Sequence, residues 1–299
     1  MTTQRQLHLN AFIMPNGHHE AAWRHPSTDP VRARTLQHYV DIARTAERGR
    51  LDSVFLADVV GLPDNVRHNS HSGFEPLTLL SALAASTEHV GLIATASTTY
   101  NHPYTLARAF ASLDHLSGGR AGWNIVTSSS AIEAGNFGIE RPDHDRRYAR
   151  AEEFVDVVLK LWDSWEDDAE IRDVATGRFV DRDKLHYIDF EGAQFSVRGP
   201  SITPRPPQGQ PLVSLLVHQQ AGYELLARSA DLGFVTPTDA ADAHNISTAV
   251  RAATAQVGRT AGEVHVLGDI VVFLDETYAA ASARKERLDV RDGNELHSD

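Results

Sequence analysis

The chain has no cysteine. That single absence excludes disulfides, iron–sulfur clusters, thiolate zinc sites and cysteine nucleophiles. It also has no apolar run approaching the roughly 18 residues that a membrane-spanning helix needs. Its start, MTTQRQLHLNAFIMP, lacks the apolar core of a signal peptide. A cytoplasmic protein with no membrane partner is the expectation. A basic excess is missing too: 28 Lys and Arg stand against 40 Asp and Glu, a formal net charge of −12. Nucleic acid is therefore not an expected partner. Glycine is short where a dinucleotide site would need it, since MPNGHHEAAW carries one glycine after the first predicted strand and the fingerprint has three. No His-x-His ends that strand. His18 and His19 are adjacent, and an extended chain would point them to opposite faces. No metal site is expected.

What is present is 299 residues, 41% hydrophobic, enough for one large core. Short apolar runs alternate with segments of helical period. LHLNAFIM (Leu7–Met14), DSVFLAD (Asp52–Asp58), VGLIATAST (Val90–Thr98) and AGWNIVTS predict four strands. QPLVSLLVH, LGFVTP and EVHVLGDIVVFL predict three more. Between them, Leu36, Tyr39, Val40, Ala43 and Ala46 fall on one helical face, as do Leu106, Phe110, Leu113 and Leu116 before the Gly118-Gly119 stop. RYARAEEFVDVVLKLWDSW is the strongest helix, with Tyr148, Ala151, Phe154, Val155, Val158, Leu161, Trp162 and Trp165 on one stripe. Residues 166–210 break the rhythm and predict an insertion with a small hairpin around HYIDFEGAQFSVRG.

Alternating strands and helices predict parallel pairing with right-handed crossovers. Of the two architectures that fit, an open doubly wound sheet lacks its glycine signal, which leaves a (β/α) barrel of the TIM type. A barrel places its site at the C-terminal ends of the strands. Those ends carry PNGHHE, ADVV, STTYNHP, NIVTSS, VHQQ and TPT, so polar residues gather on one rim. Asp58 is either a helix cap or an acceptor at the mouth. The hydroxyls of STTYNHPY suit a polar ring edge or a phosphate. His144 and Tyr148 lie one turn apart and can face the same way. Arg146 and Arg147 could meet an anion, although exposed arginines are more often simply solvated. The other loop histidines, His25, His68, His71 and His102 among them, read as loop hydrogen-bonders.

The stretches LNAFIMPNGHHEAAWRHP, ATASTTYNHPYTLARAFASLDHLSGGRAGWNIVTS and DHDRRYARAEEFVDVVLKLWDSW resemble the luciferase-like flavin monooxygenases. The similarity is to the nitrilotriacetate, EDTA and dibenzothiophene-sulfone monooxygenase branch, and runs from about Leu7 to Asp289. The resemblance implies a barrel that uses reduced FMN from a separate NAD(P)H-dependent flavin reductase, with O₂ as co-substrate, to oxygenate a small organic substrate. It implies Asp58 and Thr98 against the flavin ring, His144 and Tyr148 toward the ribityl-phosphate, and Asn124 on a strand whose polar end looks into the pocket. Two departures stand out. Gln219 occupies the position where the family has a phosphate-binding serine. Only seven strands are counted, so the eighth strand of the (β/α)8 barrel is expected to be missing from a single domain, 1–299, shortened at its C-terminal end. A homo-oligomer, dimer or tetramer, is also expected. The alternatives are a deazaflavin (F420)-dependent hydride-transfer oxidoreductase and a non-catalytic flavin-binding barrel.

Overall fold

A computed structural model describes residues 7–62, 73–217, 220–260 and 262–293. Of the residues singled out above, His68, His71 and Gln219 lie outside the described ones.

Seven parallel strands form one sheet in sequence order. Strands β1 (Asn10–Phe12), β2 (Ser53–Leu56), β3 (Gly91–Ser97) and β4 (Ala121–Val126) come first. Two small antiparallel hairpins follow: β5 (Glu170–Asp173) with β6 (Arg178–Val180), and β7 (Phe190–Glu191) with β8 (Ser196–Val197). The main sheet resumes with β9 (Leu212–Leu216), β10 (Leu232–Val235) and β11 (His265–Gly268). Helices α1 (Leu36–Arg48), α2 (Pro76–Ala84), α3 (Pro103–Ser117) and α4 (Ala131–Asn136) link the first strands and follow the fourth. They are joined by α5 (His144–Trp162), α6 (Gln220–Ser229), α7 (Ala240–Gln256) and α8 (Tyr278–Gly293).

The sheet curls. His8 at the foot of β1 and His265 at the foot of β11 bring their rings within 6.2 Å, although these are the outermost strands of the order. Near the chain's end, Asp289 of α8 meets His19 of the segment after β1 at 3.1 Å. No pairing joins β1 to β11 among the described residues.

Strand alternation sorts side chains into two layers. The outward layer packs under the helices. Trp123 is fully buried there among Phe110, Phe154 and Trp162, and its indole N–H donates to the Ala96 carbonyl at 3.0 Å. Burial of such side chains stabilises by about 1.5–3 kcal/mol each. The inward layer begins with Phe12, Phe55 and Ile93 in register, and Phe55 stacks on Phe234 across the interior at 5.0 Å. Gly122 lies opposite Ile93, where an added Cβ would come 2.9 Å from its side chain.

Four details differ from the sequence reading. β1 and β11 are short, so Leu7–Met14 and the later part of EVHVLGDIVVFL are not continuous strands, and Ile270, Val271, Val272 and Leu274 are exposed. These apolar runs have strand propensity, but only the residues that meet a neighbouring strand register as one. The 166–210 region holds two hairpins rather than one. Helix α4 is an addition, started by a capping box in which Ser130 and Glu133 exchange hydrogen bonds with each other's backbone. The stripe of α5 ends at Trp162, and Trp165 lies past the helix with its N–H on the Ser201 carbonyl at 2.7 Å.

Candidate active site at the strand carboxyl ends

The carboxyl ends of β2, β3 and β4 form a polar rim beside the starts of α4 and α5. Hydroxyls knit the β3 and β4 ends together. Thr99 donates its hydroxyl to the Thr127 carbonyl at 2.6 Å, and Ser128 donates to Ser97 Oγ at 2.9 Å. Ser128 adopts φ 44°, so the chain turns sharply as β4 ends.

Asp58 lies two residues beyond β2, half-buried. Burial, reinforced by Glu75 and Glu133, pushes its carboxyl up to about 6. The two neighbouring carboxylates are held by backbone donors. Glu75 caps α2, accepting from Leu77 and Thr78 N–H at 3.0 and 2.7 Å. Glu133 is buried and accepts from Val60 N–H at 3.2 Å and Ser130 N–H at 3.4 Å. Both carboxylates are thus held in place by backbone donors. Asp58 has only its contact with the Val59 backbone to offset that rise.

Next to Glu133 stands Tyr100, stacked flat on Phe137 with centroids 4.3 Å apart. Its hydroxyl is buried and unpartnered. Burial and then Glu133 push the Tyr100 phenol above its ordinary value, while Arg147 opposes them. The rim therefore runs from Asp58 through Glu133 and Tyr100 to Arg147.

The predicted residues divide by position. His144 and Tyr148 come together as expected, their rings 4.6 Å apart on the first turns of α5. Burial raises the Tyr148 phenol. Thr98 is wholly buried, with its N–H on the Val126 carbonyl at 3.0 Å. Asn124 faces the sheet interior, not the rim edge. Its amide donates to Thr95 Oγ1 at 3.0 Å and accepts from Ser214 Oγ at 3.3 Å, making a polar layer across β3, β4 and β9. The loop histidines are engaged locally: His18 with the Phe12 carbonyl at 2.9 Å, His25 with Ser27 at 2.8 Å, and His102 as the cap of α3.

Arg147 departs from the solvated arginine of the sequence reading, being 9% exposed. The buried stripe of α5, followed back one turn from Ala151, reaches Arg147. That spacing was the signal for its burial, as the S-x-x-E spacing of Ser130 and Glu133 was for α4. Glu133, Tyr100 and Arg150 were also not foreseen. Arg150 donates to the carbonyls of Thr98 and Asn101 at 3.0 and 3.2 Å and lies over the Phe195 ring, tying α5 to the β3 end.

With this geometry in place, comparison with known proteins gives consistent results. A luciferase-like monooxygenase family model matches residues 16–293. Nitrilotriacetate monooxygenase component A of Aminobacter aminovorans is 44% identical over 301 residues, covering 96% of this chain. The chain spans 66% of that relative's length. Among solved structures, a long-chain alkane monooxygenase superposes with a TM-score of 0.90 at 34% identity, over 96% of this chain and 69% of its own. A riboflavin lyase solved with modified FMN and riboflavin superposes with a TM-score of 0.88 at 32% identity, over 95% and 66%. The curled parallel sheet with its polar carboxyl rim is thus that of a TIM-type barrel, and the chain belongs to the luciferase-like monooxygenase family.

Proposed function

We propose that this chain is the oxygenating component of a two-component flavin monooxygenase. It would take reduced FMN from a separate NAD(P)H-dependent reductase and use O₂ to oxygenate a small organic substrate in the cytoplasm. The observation that carries this reading is the half-buried Asp58 carboxyl at the rim, able to hold a proton near neutral pH, in a chain of this family.

The residues present fit a flavin. The rim offers a protonatable acid at Asp58, an aromatic face at Tyr148, and buried donors without partners on Tyr100 and Arg147. Such unmet donors are uncommon in a folded interior and fit a ligand that supplies acceptors. Asp58 and Thr98 would hold the ring, and His144 and Tyr148 the ribityl-phosphate. Asn124 would brace the pocket floor through Thr95 and Ser214. Gln219 would lie at the phosphate, where backbone N–H groups at the start of a helix suit an anion.

Bound reduced flavin supplies the two electrons by which one oxygen atom of O₂ enters the substrate and the other leaves as water. The chain's own tasks are to position the ring, exclude water and manage one proton. Asp58 suits the last task, because a carboxyl raised to about 6 lies closer to neutral pH than an ordinary one and so both accepts and returns a proton more readily there. The buried inward cluster of Phe55, Ile93 and Phe234 keeps the floor of the mouth dry.

The test is oxygen uptake coupled to an NAD(P)H-dependent flavin reductase, screened over candidate substrates. Substrate-dependent uptake with incorporation of labelled oxygen supports the reading. Oxidation or reduction of F420 without oxygen uptake would replace it with hydride transfer, and flavin binding without turnover would leave a non-catalytic barrel. A dimer or tetramer is part of the proposal, checked by light scattering.

A further inference from the structure

The chain beyond β2 has no ladder to follow. Pairing with β3 stops at Leu56, and among the described residues no backbone–backbone hydrogen bond engages 57–62. Asp58 sits in that stretch. Half-buried backbone still needs partners for its N–H and C=O groups. At Val60 both partners are side chains of α4. Glu133 Oε1 accepts from the Val60 N–H at 3.2 Å, and Asn136 Nδ2 donates to the Val60 carbonyl at 2.7 Å. Residues three apart share a helix face, so the pair holds one residue from both sides of its Cα. The fit extends to Gly61. A Cβ there would come 3.0 Å from Ile132 Cγ2 and 3.1 Å from the Glu133 backbone nitrogen, so a side chain would push the loop off α4.

Helix α4 has six residues, too few to be stable alone, and is fixed through its ends. It starts from the β4 end, where Ser128 donates to Ser97 Oγ at 2.9 Å. Phe137, which closes it, stacks flat on Tyr100 beyond β3 with centroids 4.3 Å apart. The helix is thus a crossbar between the ends of β2, β3 and β4. Glu133 has one oxygen on its own helix start, accepting from Ser130 N–H at 3.4 Å, and the other on the Asp58 segment. The charged neighbours of Asp58 are Glu75, at the cap of α2, and Glu133. Tyr100 and Arg147 act on each other and Glu133 from the β3 end and from α5.

We propose that Glu133 and Asn136 are positioning residues, which hold Val60 and thereby set where the Asp58 carboxyl stands against the bound ligand. In its ligand this rests on the flavin reading, and in its geometry it does not.

Two measurements test it. In the flavin-free full chain, the Asp58 carboxyl is titrated by NMR with carbon-13-labelled aspartate, Asp58→Asn assigning the signal. Asn136→Ala leaves every charge in place, so a change there reports displacement alone. The midpoint should fall from about 6 toward 3.8 as the loosened loop lets water reach the carboxyl. Reduced FMN is then titrated anaerobically at pH 7.5. Asn136→Ala should weaken binding about fivefold, the scale of one lost hydrogen bond. Glu133→Ala should weaken it at least as much, and Glu133→Gln, which keeps the acceptor oxygen, should recover most of that loss. If Glu133→Ala does not fold, as judged by circular dichroism, the Gln and Asn136 variants carry the test. In an Asp58→Ala background, Asn136→Ala should have almost no further effect, because the group it positions is gone. An Asp58 midpoint unchanged by Asn136→Ala overturns the proposal. So does an unchanged affinity where wild type binds, or the same fivefold loss with Asp58 removed. A wild type that does not bind reduced FMN, with a midpoint that still falls in Asn136→Ala, removes the flavin reading and keeps the positioning role.

Discussion

Replacing Asp58 by Asn should stabilise the protein at neutral pH. In the unfolded chain this carboxyl ionises near 3.8, and in the folded chain at about 6. Below 3.8 it is protonated in both states and contributes nothing. Between the two values the unfolded chain sheds the proton while the folded one keeps it, so stability falls as pH rises. Above about 6 the penalty is constant. At about 1.4 kcal/mol per tenfold change in acidity, the shift amounts to about 3 kcal/mol, reduced to about 1–2 kcal/mol by solvent screening at a half-buried rim position. Asn keeps the shape and carries no charge next to Glu75 and Glu133. Urea denaturation of wild type and variant at pH 7.5 and pH 4.5 measures the effect. The variant should gain about 1–2 kcal/mol at pH 7.5 and well under half of that at pH 4.5. A variant no more stable than wild type at pH 7.5, or equally stabilised at both values, would refute the argument that burial and the two fixed carboxylates raise this acid. The stability recovered would measure what the rim gives up to keep an acid there.

Other expectations follow from the same geometry. Asn124→Leu leaves Thr95 and Ser214 without their shared partner and should cost about 1–3 kcal/mol, read as a shift in urea midpoint. Trp123→Ala empties the space between Phe110, Phe154 and Trp162 and should cost about 3–5 kcal/mol by the same assay. Arg120 donates to the carbonyls of Ala84, Thr87, Val90 and Ser117. Arg120→Met should therefore cost about 3 kcal/mol, seen in thermal melts. In hydrogen exchange, the amides of β1 at the sheet edge should exchange much faster than those of β3 between β2 and β4.

Much of the fold was legible because its signals are local. The buried stripe of α5 and the Gly118 stop of α3, at φ 68°, follow from spacing and backbone chemistry alone. The lengths of β1 and β11 were not legible, since apolar residues there satisfy strand propensity whether or not a neighbour pairs with them. The site was legible in part. His144 and Tyr148 meet because residues four apart share a helix face. Asn124 was placed on the right strand, but its partners Thr95 and Ser214 come from strands 29 and 90 residues away, and only the register reveals them. Glu133 and Tyr100 gain their meaning from Asp58 and Arg147, neighbours that sequence proximity does not disclose.

Reduced flavin is expected at the carboxyl rim. Anaerobic titration of reduced and oxidised FMN into the protein tests it most directly, with Asp58→Ala and Tyr148→Ala as controls. Reduced FMN should bind saturably, the oxidised form more weakly, and each variant should lose more than about 0.5 kcal/mol, the scale of a neutral surface change. Absence of saturable binding of reduced FMN, or binding untouched by both substitutions, would contradict it.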